Sequence, residues 1–404
     1  MFQKFKTKLG RGWRWALQNK WSLLLIALAA AVVSFLLLHR LTTLPTGSLS
    51  PAEQGLATMP IGWHGLYQDP FFLINKLQLS VSYYLFGQGG AAIVRLPSVK
   101  LGAIAIICVG ILLRVWHGTR IAVLGCLLFA CSAWTLHVSR YASWDSTYLA
   151  VLPLLLVSQL ALQRLTTVWV PYVVVTLWSL LLFTPGFIWF ALFAFWWERP
   201  RFVSTWQQQK QWWQRVLLLF LGFAWLPLLA SFFIRQPGQI AQWLGAPAHF
   251  DSLLTVSHRL ASVPLHLFGY GPAIPELWLG RLPLLDIFTL TITILGLIFY
   301  AQHWRSGRSR LLLAYAALGT ILIGGGGATS LSLLVPLCYL AAAAGLSYLL
   351  RNWLRRFPLN PILRSVGVVG LSLLVLASCA YNLQSYFVAW PHNQTTISHF
   401  RSQP

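Results

Sequence analysis

Acidic side chains are scarce in this sequence, which limits where proton-transfer chemistry can occur. The 404 residues include only seven Asp and Glu, against 29 Lys and Arg. Carboxylates near lipid are costly and are usually placed there for function, so a general base or metal ligand must come from this small set. Six of the seven fall in segments predicted to lie outside or at the outer membrane edge: Glu53, Asp69, Asp145, Asp251, Glu276 and Asp286.

Asp145 is the most informative of these carboxylates. It ends the nine-residue stretch HVSRYASWD, which begins at His137 and reads as a short turn between two apolar runs. This position predicts that the carboxylate faces the mouth of a helix bundle. The alternative is an exposed loop acid paired with Arg140, because such turns often carry a charged pair.

Glu53 and Asp69 each have a structural alternative to a chemical role. Glu53 lies in LSPAEQ, where Ser50 could cap a short helix and Glu53, three residues later, would complete a capping box. Asp69 precedes Pro70, so it could equally begin a helix or form a turn. On the residues alone, both alternatives remain open.

Metal ions and phosphate groups would need ligands of other types. None of the ten His residues pairs with another ligand at helical spacing on the outer side, so no metal site and no cofactor are predicted, and a divalent metal has no support in the sequence. His258 and Arg259 could contact a phosphate, and the alternative is a solvated pair.

Long apolar segments must position these side chains. The composition is 57% hydrophobic and 9% charged, with a mean hydropathy of +0.67, which excludes a water-soluble globular protein. The prediction is an all-α polytopic membrane protein with about eleven transmembrane helices, since about 20 apolar residues cross the bilayer. The segments are 21–38, 99–116, 120–137, 146–163, 167–183, 185–197, 216–234, 283–301, 310–326, 330–350 and 362–380.

The distribution of basic residues predicts the orientation. With the N-terminus inside, cytoplasmic stretches collect 20 of the 29 Lys and Arg, as the positive-inside rule requires. Topology and anionic lipid thus explain the net charge of +22, and nucleic acid is not an expected partner. The predicted parts are a basic cytoplasmic N-terminus (1–20), a transmembrane domain (21–380) with outer loops at 39–98 and 235–282, and an outer C-terminal tail (381–404).

The order of several short motifs resembles a known family. SLSPAEQ, GLYQDPFFLINKL, LFGQGGAAIVRLPS and SRYASWD follow the first apolar segment in that order. This pattern is similar to the membrane-integral C-type glycosyltransferases of the protein mannosyltransferase and aminoarabinose transferase kind. The resemblance covers roughly residues 20–190 and implies that family's fold, with short interfacial helices in the outer loops.

Family membership implies a dolichyl- or polyprenyl-phosphate-linked sugar as donor and transfer with inversion to an envelope glycan, lipid or protein at the outer face. An acceptor hydroxyl then needs a carboxylate base, for which Glu53 is favoured, with Asp145 orienting the acceptor and Asp69 in reserve. The two favoured carboxylates would share one cavity. The departing lipid phosphate needs cations, and the candidates to bind it are Lys76, Arg95, Arg140, His258 and Arg259. Arg95 has a helix-end anchor as its alternative role.

Two departures from the family pattern keep other functions open. Ala52 stands where the family has the Asp of an Asp-Glu pair, and GGGGATS stands near the start of the tenth segment, where many relatives have a basic residue. A catalytically inactive relative that binds lipid-linked saccharide is therefore one alternative. A transporter or flippase for lipid-linked saccharide is another, although no charged residue is visible in the middle of a span.

Overall fold

The computed structural model describes residues 20–59, 62–87, 90–165, 167–209, 211–247, 252–271, 282–327 and 329–401. Within these ranges the protein is helical and contains no strand. Asp251, Glu276 and the basic N-terminus up to Asn19 lie outside the described residues.

The helices are numbered in chain order. They are α1 (Lys20–Leu38), α2 (Pro51–Ala57), α3 (Trp63–Gln68), α4 (Leu73–Phe86), α5 (Ala91–His117), α6 (Thr119–Cys131), α7 (Ala133–Arg140), α8 (Asp145–Arg164), α9 (Val170–Leu181), α10 (Phe187–Gln208), α11 (Trp212–Phe223), α12 (Leu226–Arg235), α13 (Gln239–Trp243), α14 (Leu253–Phe268), α15 (Ile287–Gln302), α16 (Gly307–Gly324), α17 (Val335–Arg356), α18 (Pro361–Gln384) and α19 (Gln394–Arg401).

Each predicted apolar segment coincides with one helix or with two consecutive helices. Segment 120–137 is the pair α6 and α7, which are bent by 59°. Over the described ranges, five helices are long and apolar enough to cross a membrane, or six if this bent pair is one span, and three further apolar helices are shorter. The all-α fold class is confirmed, whereas the number of eleven spans stays a prediction.

Small residues let the central helices approach closely. A Cβ atom added to Gly296 of α15 would lie 1.8 Å from the Ala341 carbonyl oxygen of α17, and one added to Gly345 would lie 2.0 Å from the Ile292 oxygen. Such contacts are typical of helix pairs packed within a bilayer, where close van der Waals contact stabilises association. The pair α15 and α17 therefore forms a tightly packed part of the bundle.

The two predicted outer loops carry short helices, as expected. Loop 39–98 contains α2, α3 and α4 before the start of α5, and loop 235–282 contains α13 and α14. Exposed apolar side chains extend along α4, including Val81 and Leu85, which are 51% and 62% exposed. Of these helices, α2 and α13 supply residues to the candidate site, namely Ala52, Leu56 and Gln242.

Candidate active site

A cavity of about 350 Å³ lies at the start of α8, beside the first outer loop. Asp69 and Asp145 both line it, and several aromatic rings form its apolar wall. The lining residues are Ala52, Leu56, Met59, Asp69, Phe71, Phe72, Ala142, Ser143, Trp144, Asp145, Tyr148 and Gln242. The cavity thus combines two carboxylates with an apolar surface, an arrangement typical of ligand-binding sites.

Asp145 is held by the start of its own helix and by two hydroxyl groups. Its backbone N–H donates to Ser143 Oγ at 3.2 Å, and its carboxylate accepts hydrogen bonds from the Ser143 and Ser330 side chains. The ion pairs found among the described residues do not include it. Sequence reasoning missed Ser330, because nothing in GGGGATS indicates which distant side chain its hydroxyl will meet. The Asp145 carboxylate therefore faces the cavity with neutral hydrogen-bond donors.

Phe72 shapes the apolar wall of the cavity. Its ring stacks on Trp144 at 4.8 Å and meets the edge of Tyr148 at 5.7 Å. Its φ is +55°, a left-handed conformation that is uncommon for a residue other than glycine. The Phe72 N–H donates to the Phe183 carbonyl oxygen at 2.9 Å, and this bond fixes the turn that begins α4. Sequence alone does not indicate this conformation.

Asp69 forms an ion pair with Lys76 at the edge of the cavity. The Lys76 ammonium donates to Asp69 Oδ2 at 2.6 Å and to the Asp69 carbonyl oxygen at 2.7 Å. The Asp69 side chain is 49% exposed and that of Lys76 is 13% exposed. Burial lowers the pKa of Lys76, and the hydrogen bond and charge of Asp69 partly oppose that shift. The predicted turn role of Asp69 is also present, because Oδ1 accepts from the Phe71 N–H at 3.1 Å.

Glu53 lies behind the cavity wall rather than in it. Its side chain is fully buried, whereas the neighbouring Ala52 lines the cavity. The capping box is formed: Ser50 Oγ accepts from the Glu53 N–H at 3.2 Å, and Glu53 Oε2 accepts from the Ser50 N–H at 3.1 Å. The structure therefore differs from the expectation that Glu53 and Asp145 share one cavity, because Asp145 shares it with Asp69.

The Glu53 carboxylate already accepts four hydrogen bonds. Oε1 accepts from Arg95 Nε at 2.7 Å and from the Ala142 N–H at 3.0 Å. Oε2 accepts from Arg95 Nη2 at 2.8 Å and from the Ser50 N–H. A carboxylate offers about four lone-pair sites, so this geometry leaves none for an acceptor hydroxyl.

Arg95 is similarly saturated by protein acceptors. Besides Glu53, its guanidinium donates to the carbonyl oxygens of Leu41 at 2.8 Å, Leu44 at 2.7 Å and Ser48 at 3.3 Å. All five N–H groups of the guanidinium are thereby used. This geometry favours the anchor role for Arg95, which ties the first outer loop to α5, over phosphate binding.

Arg140 does not pair with Asp145. Its guanidinium is buried, and it donates to the Leu36 carbonyl oxygen at 2.9 Å and to that of His39, at the end of α1. It also lies 5.3 Å and 4.8 Å from the ring centres of Tyr386 and Phe387. The alternative in which Asp145 and Arg140 form an exposed pair is therefore wrong, because Arg140 stabilises a helix terminus elsewhere.

Arg259 lies beside the glycine run of the sequence GGGGATS, residues 324–330. A Cβ atom on Gly326 would lie 2.1 Å from Arg259 Nη1, so the absence of a side chain at 326 makes room for the guanidinium. Gly326 also has a φ of +80°, which favours glycine. Arg259 thus supplies from α14 a positive charge next to the run that ends at Ser330, which contacts Asp145. The adjacent His258 is exposed.

Within the described ranges, no group of three or more His, Cys, Asp or Glu side chains could hold a metal ion. The remaining outer acid in those ranges, Asp286, caps α15: its carboxylate accepts from Thr289, Ser378 and Asn382 at 2.5 to 3.1 Å. Asp286 thus has a structural role.

Comparison with solved structures identifies the fold. ArnT from Cupriavidus metallidurans bound to undecaprenyl phosphate is 14% identical with a TM-score of 0.54, over 95% of this chain and 77% of that one. The Archaeoglobus fulgidus oligosaccharyltransferase in its apo form is 15% identical with a TM-score of 0.54, over 96% of this chain and 57% of that one. No family model matches the sequence, and no curated protein matches it. The chain has the fold of the C-type glycosyltransferases, as the motifs predicted, and is a multi-pass membrane protein.

Proposed function

From this fold and cavity, we propose that the protein transfers a sugar from a polyprenyl-phosphate-linked donor to an envelope glycan, lipid or protein at the outer face of the membrane, with inversion. The observation that carries the proposal is the cavity shared by Asp69 and Asp145. The similarity in fold to ArnT, whose structure was solved with undecaprenyl phosphate, supports the class of donor.

Asp145 is the general base in this proposal. The acceptor O–H would give its proton to the Asp145 carboxylate as the oxygen attacks the anomeric carbon, and the bond from that carbon to the lipid phosphate would break. Asp145 suits the role because its carboxylate faces the cavity and accepts from the neutral hydroxyls of Ser143 and Ser330. None of the ion pairs found among the described residues includes Asp145. Glu53, with all its acceptor sites used, stabilises the loop instead.

Asp69 and Lys76 position the acceptor or the donor at the cavity edge. Lys76 Nζ uses two of its three donors on Asp69, which leaves one donor for a substrate oxygen. Lys76 Nζ also lies 5.6 Å from the centre of the ring of Trp144, the residue that precedes Asp145 in the sequence. The pair therefore links the first turn of α4 to Asp69 at the cavity edge.

Arg259 stabilises the departing lipid phosphate. An anionic leaving group needs a positive charge close by, and a guanidinium matches phosphate oxygens in a two-point geometry. Its contact with Gly326 supports this role, because that glycine run leads directly to Ser330 beside Asp145. Arg259, from the second outer loop, would then take the place of the basic residue that many relatives carry at the position of the glycine run.

Transfer from defined donors tests this proposal. The purified protein in lipid nanodiscs would be incubated with a panel of undecaprenyl-phosphate sugars and outer-membrane or cell-wall glycans, and release of undecaprenyl phosphate would be followed by mass spectrometry. We expect turnover with at least one donor. Binding of undecaprenyl phosphate without turnover for any donor would instead support an inactive relative, which the Ala52 departure suggests. Failure to bind any polyprenyl phosphate would contradict the proposal.

A further inference from the structure

A second polar cavity, of about 220 Å³, lies at the end of the bundle opposite the Asp145 site. It is lined by parts of α5, α8, α10 and α16, including Trp116, Gln159, Trp197, Arg201 and Arg308. Gln159 and Asp145 are 14 residues apart on α8, about 21 Å along a helix axis. This end carries the basic segments that predict the cytoplasmic side, so the second cavity is separate from the proposed active site.

Gln159 lines this cavity and carries an unsatisfied hydrogen-bond donor. Its side chain is only 1% exposed, and its Oε1 accepts from the Tyr315 hydroxyl at 3.1 Å. That bond orients the amide, and Nε2 is buried with no hydrogen-bond partner among the described residues. A buried donor without a partner costs about 1 to 3 kcal/mol, so the cavity favours a ligand that accepts hydrogen bonds.

The charges around the cavity indicate which kind of hydrogen-bond-accepting ligand would bind there. Arg308 donates to the Trp116 carbonyl oxygen at 3.2 Å and lies 5.7 Å from the centre of that ring, so its position is fixed. The one carboxylate nearby in the described ranges, Glu198, is fully buried and accepts from Gln163 at 2.8 Å and from Arg201. Water could satisfy the amide of Gln159, but an anion would also match the positive charge that remains.

We infer that this second cavity binds a phosphate group, carried either by an anionic phospholipid or by free phosphate. Arg308 and the Nε2 of Gln159 would donate to the phosphate oxygens, while Trp116 and Trp197 form the apolar part of the wall. The small volume fits a headgroup rather than a whole lipid-linked sugar. The site would lie where a headgroup at the predicted cytoplasmic interface could enter it.

Lipid binding to the intact protein tests this inference. Native mass spectrometry in a neutral detergent would count bound phosphatidylglycerol and, as the uncharged comparison, phosphatidylcholine. Two variants remove donors from the site: Gln159→Glu, which replaces the amide by a carboxylate of similar shape, and Arg308→Gln. Arg355→Gln is the matched control, because it removes one exposed charge at the same end without touching the cavity.

We expect phosphatidylglycerol to bind wild type and Arg355→Gln alike and to bind both site variants roughly tenfold more weakly, the effect of one charged hydrogen bond. Competition by inorganic phosphate, with the same dependence on the variants, would identify free phosphate as the ligand. An absence of competition would identify the lipid headgroup. Equal binding of phosphatidylglycerol by all four proteins, or equal binding of phosphatidylcholine, would overturn the inference. If Gln159→Glu does not fold, phosphatidylglycerol binding by Arg308→Gln decides the test.

Discussion

Glu53 and Arg95 form a buried, two-point ion pair that closes the first outer loop onto α5. The two contacts measure 2.7 and 2.8 Å, and the side chains are 0% and 3% exposed. The same guanidinium binds three carbonyl oxygens of the loop, while the carboxylate caps α2 and accepts from the Ala142 N–H. This pair therefore fixes the loop that forms one wall of the proposed active site.

Removing one partner of this pair should destabilise the protein more than it impairs chemistry. Glu53→Gln leaves a buried guanidinium without its counter-ion, which typically costs about 3 to 5 kcal/mol. We expect a clear fall in the thermal unfolding midpoint, measured by light scattering or intrinsic fluorescence in detergent. Turnover per folded molecule should remain near that of wild type at low temperature.

Asp69→Asn is the control for this stability measurement. The Asp69 side chain is 49% exposed and that of Lys76 is 13% exposed, so this pair is less buried than Glu53 and Arg95 and its loss should cost less. The unfolding midpoint of Asp69→Asn should therefore fall less than that of Glu53→Gln. A Glu53→Gln variant that keeps its midpoint but loses all turnover would instead restore Glu53 as the base.

Asp69→Asn should also change how Lys76 titrates. Burial lowers the pKa of Lys76 from its ordinary 10.5, and Asp69 opposes that shift. Without the Asp69 charge the pKa should fall further, so more of the amine is neutral at a given pH. Acetylation of Lys76 by a small reagent, followed by peptide mass spectrometry, should therefore reach its midpoint at a lower pH in the variant. Lys100 serves as the internal control, and an unchanged Lys76 midpoint would contradict this account.

Gly326→Ala should weaken binding of the lipid phosphate. The new Cβ would collide with Arg259 Nη1, and the positive φ at this position strains any other residue. Displacing a guanidinium from a phosphate should weaken undecaprenyl phosphate binding about tenfold or more. Gly370→Ala is the matched control, because a Cβ there meets nothing within 4 Å.

Arg259→Gln should give the same loss of undecaprenyl phosphate binding as Gly326→Ala. The double variant should bind undecaprenyl phosphate about as weakly as either single variant, because both substitutions remove the same contact between Arg259 and the phosphate. Binding can be followed by native mass spectrometry of the purified variants. Additive losses would show that Gly326 acts on the lipid phosphate by some other route than Arg259.

The predicted topology has its own test. Eleven spans with 20 of the 29 basic residues inside place the C-terminus outside. A phosphatase reporter fused after Pro404, which is active only outside the cytoplasm, should therefore be active. An inactive phosphatase together with an active cytoplasmic reporter would mean that the number of spans is even.

The features predicted from sequence are local ones. The capping box depends on Ser50 and Glu53, which are three positions apart, so spacing alone indicates it. The apolar segments are predicted for the same reason, because each backbone must satisfy its own hydrogen bonds in lipid. Their number is harder to fix, since several apolar helices are short or bent.

The parts of the site that escaped prediction depend on distant contacts. Glu53 meets Arg95 and the Ala142 N–H, which are 42 and 89 positions away, so the sequence could not show that its carboxylate was saturated. Arg140 and Asp145 are near in sequence, but α7 ends at Arg140 and the chain is extended at Tyr141 before α8 begins. That break separates the two side chains and leaves Asp145 to the cavity.

Asp145 is the base for sugar transfer in this proposal, and its substitution needs a control. The control is Asp286→Asn, which alters another carboxylate at the same end of the bundle, one that caps α15 through Thr289. The control should lose stability while each folded molecule keeps its turnover, so it separates damage to the fold from damage to the chemistry.

The decisive measurement is the turnover number of Asp145→Asn with an undecaprenyl-phosphate sugar that wild type uses, taken alongside binding of undecaprenyl phosphate. Loss of a general base typically slows a reaction roughly 100- to 10,000-fold. We predict a loss of that size for Asp145→Asn, with binding of undecaprenyl phosphate and the unfolding midpoint unchanged. Full turnover in Asp145→Asn would rule out Asp145 as the base and assign that role to another carboxylate.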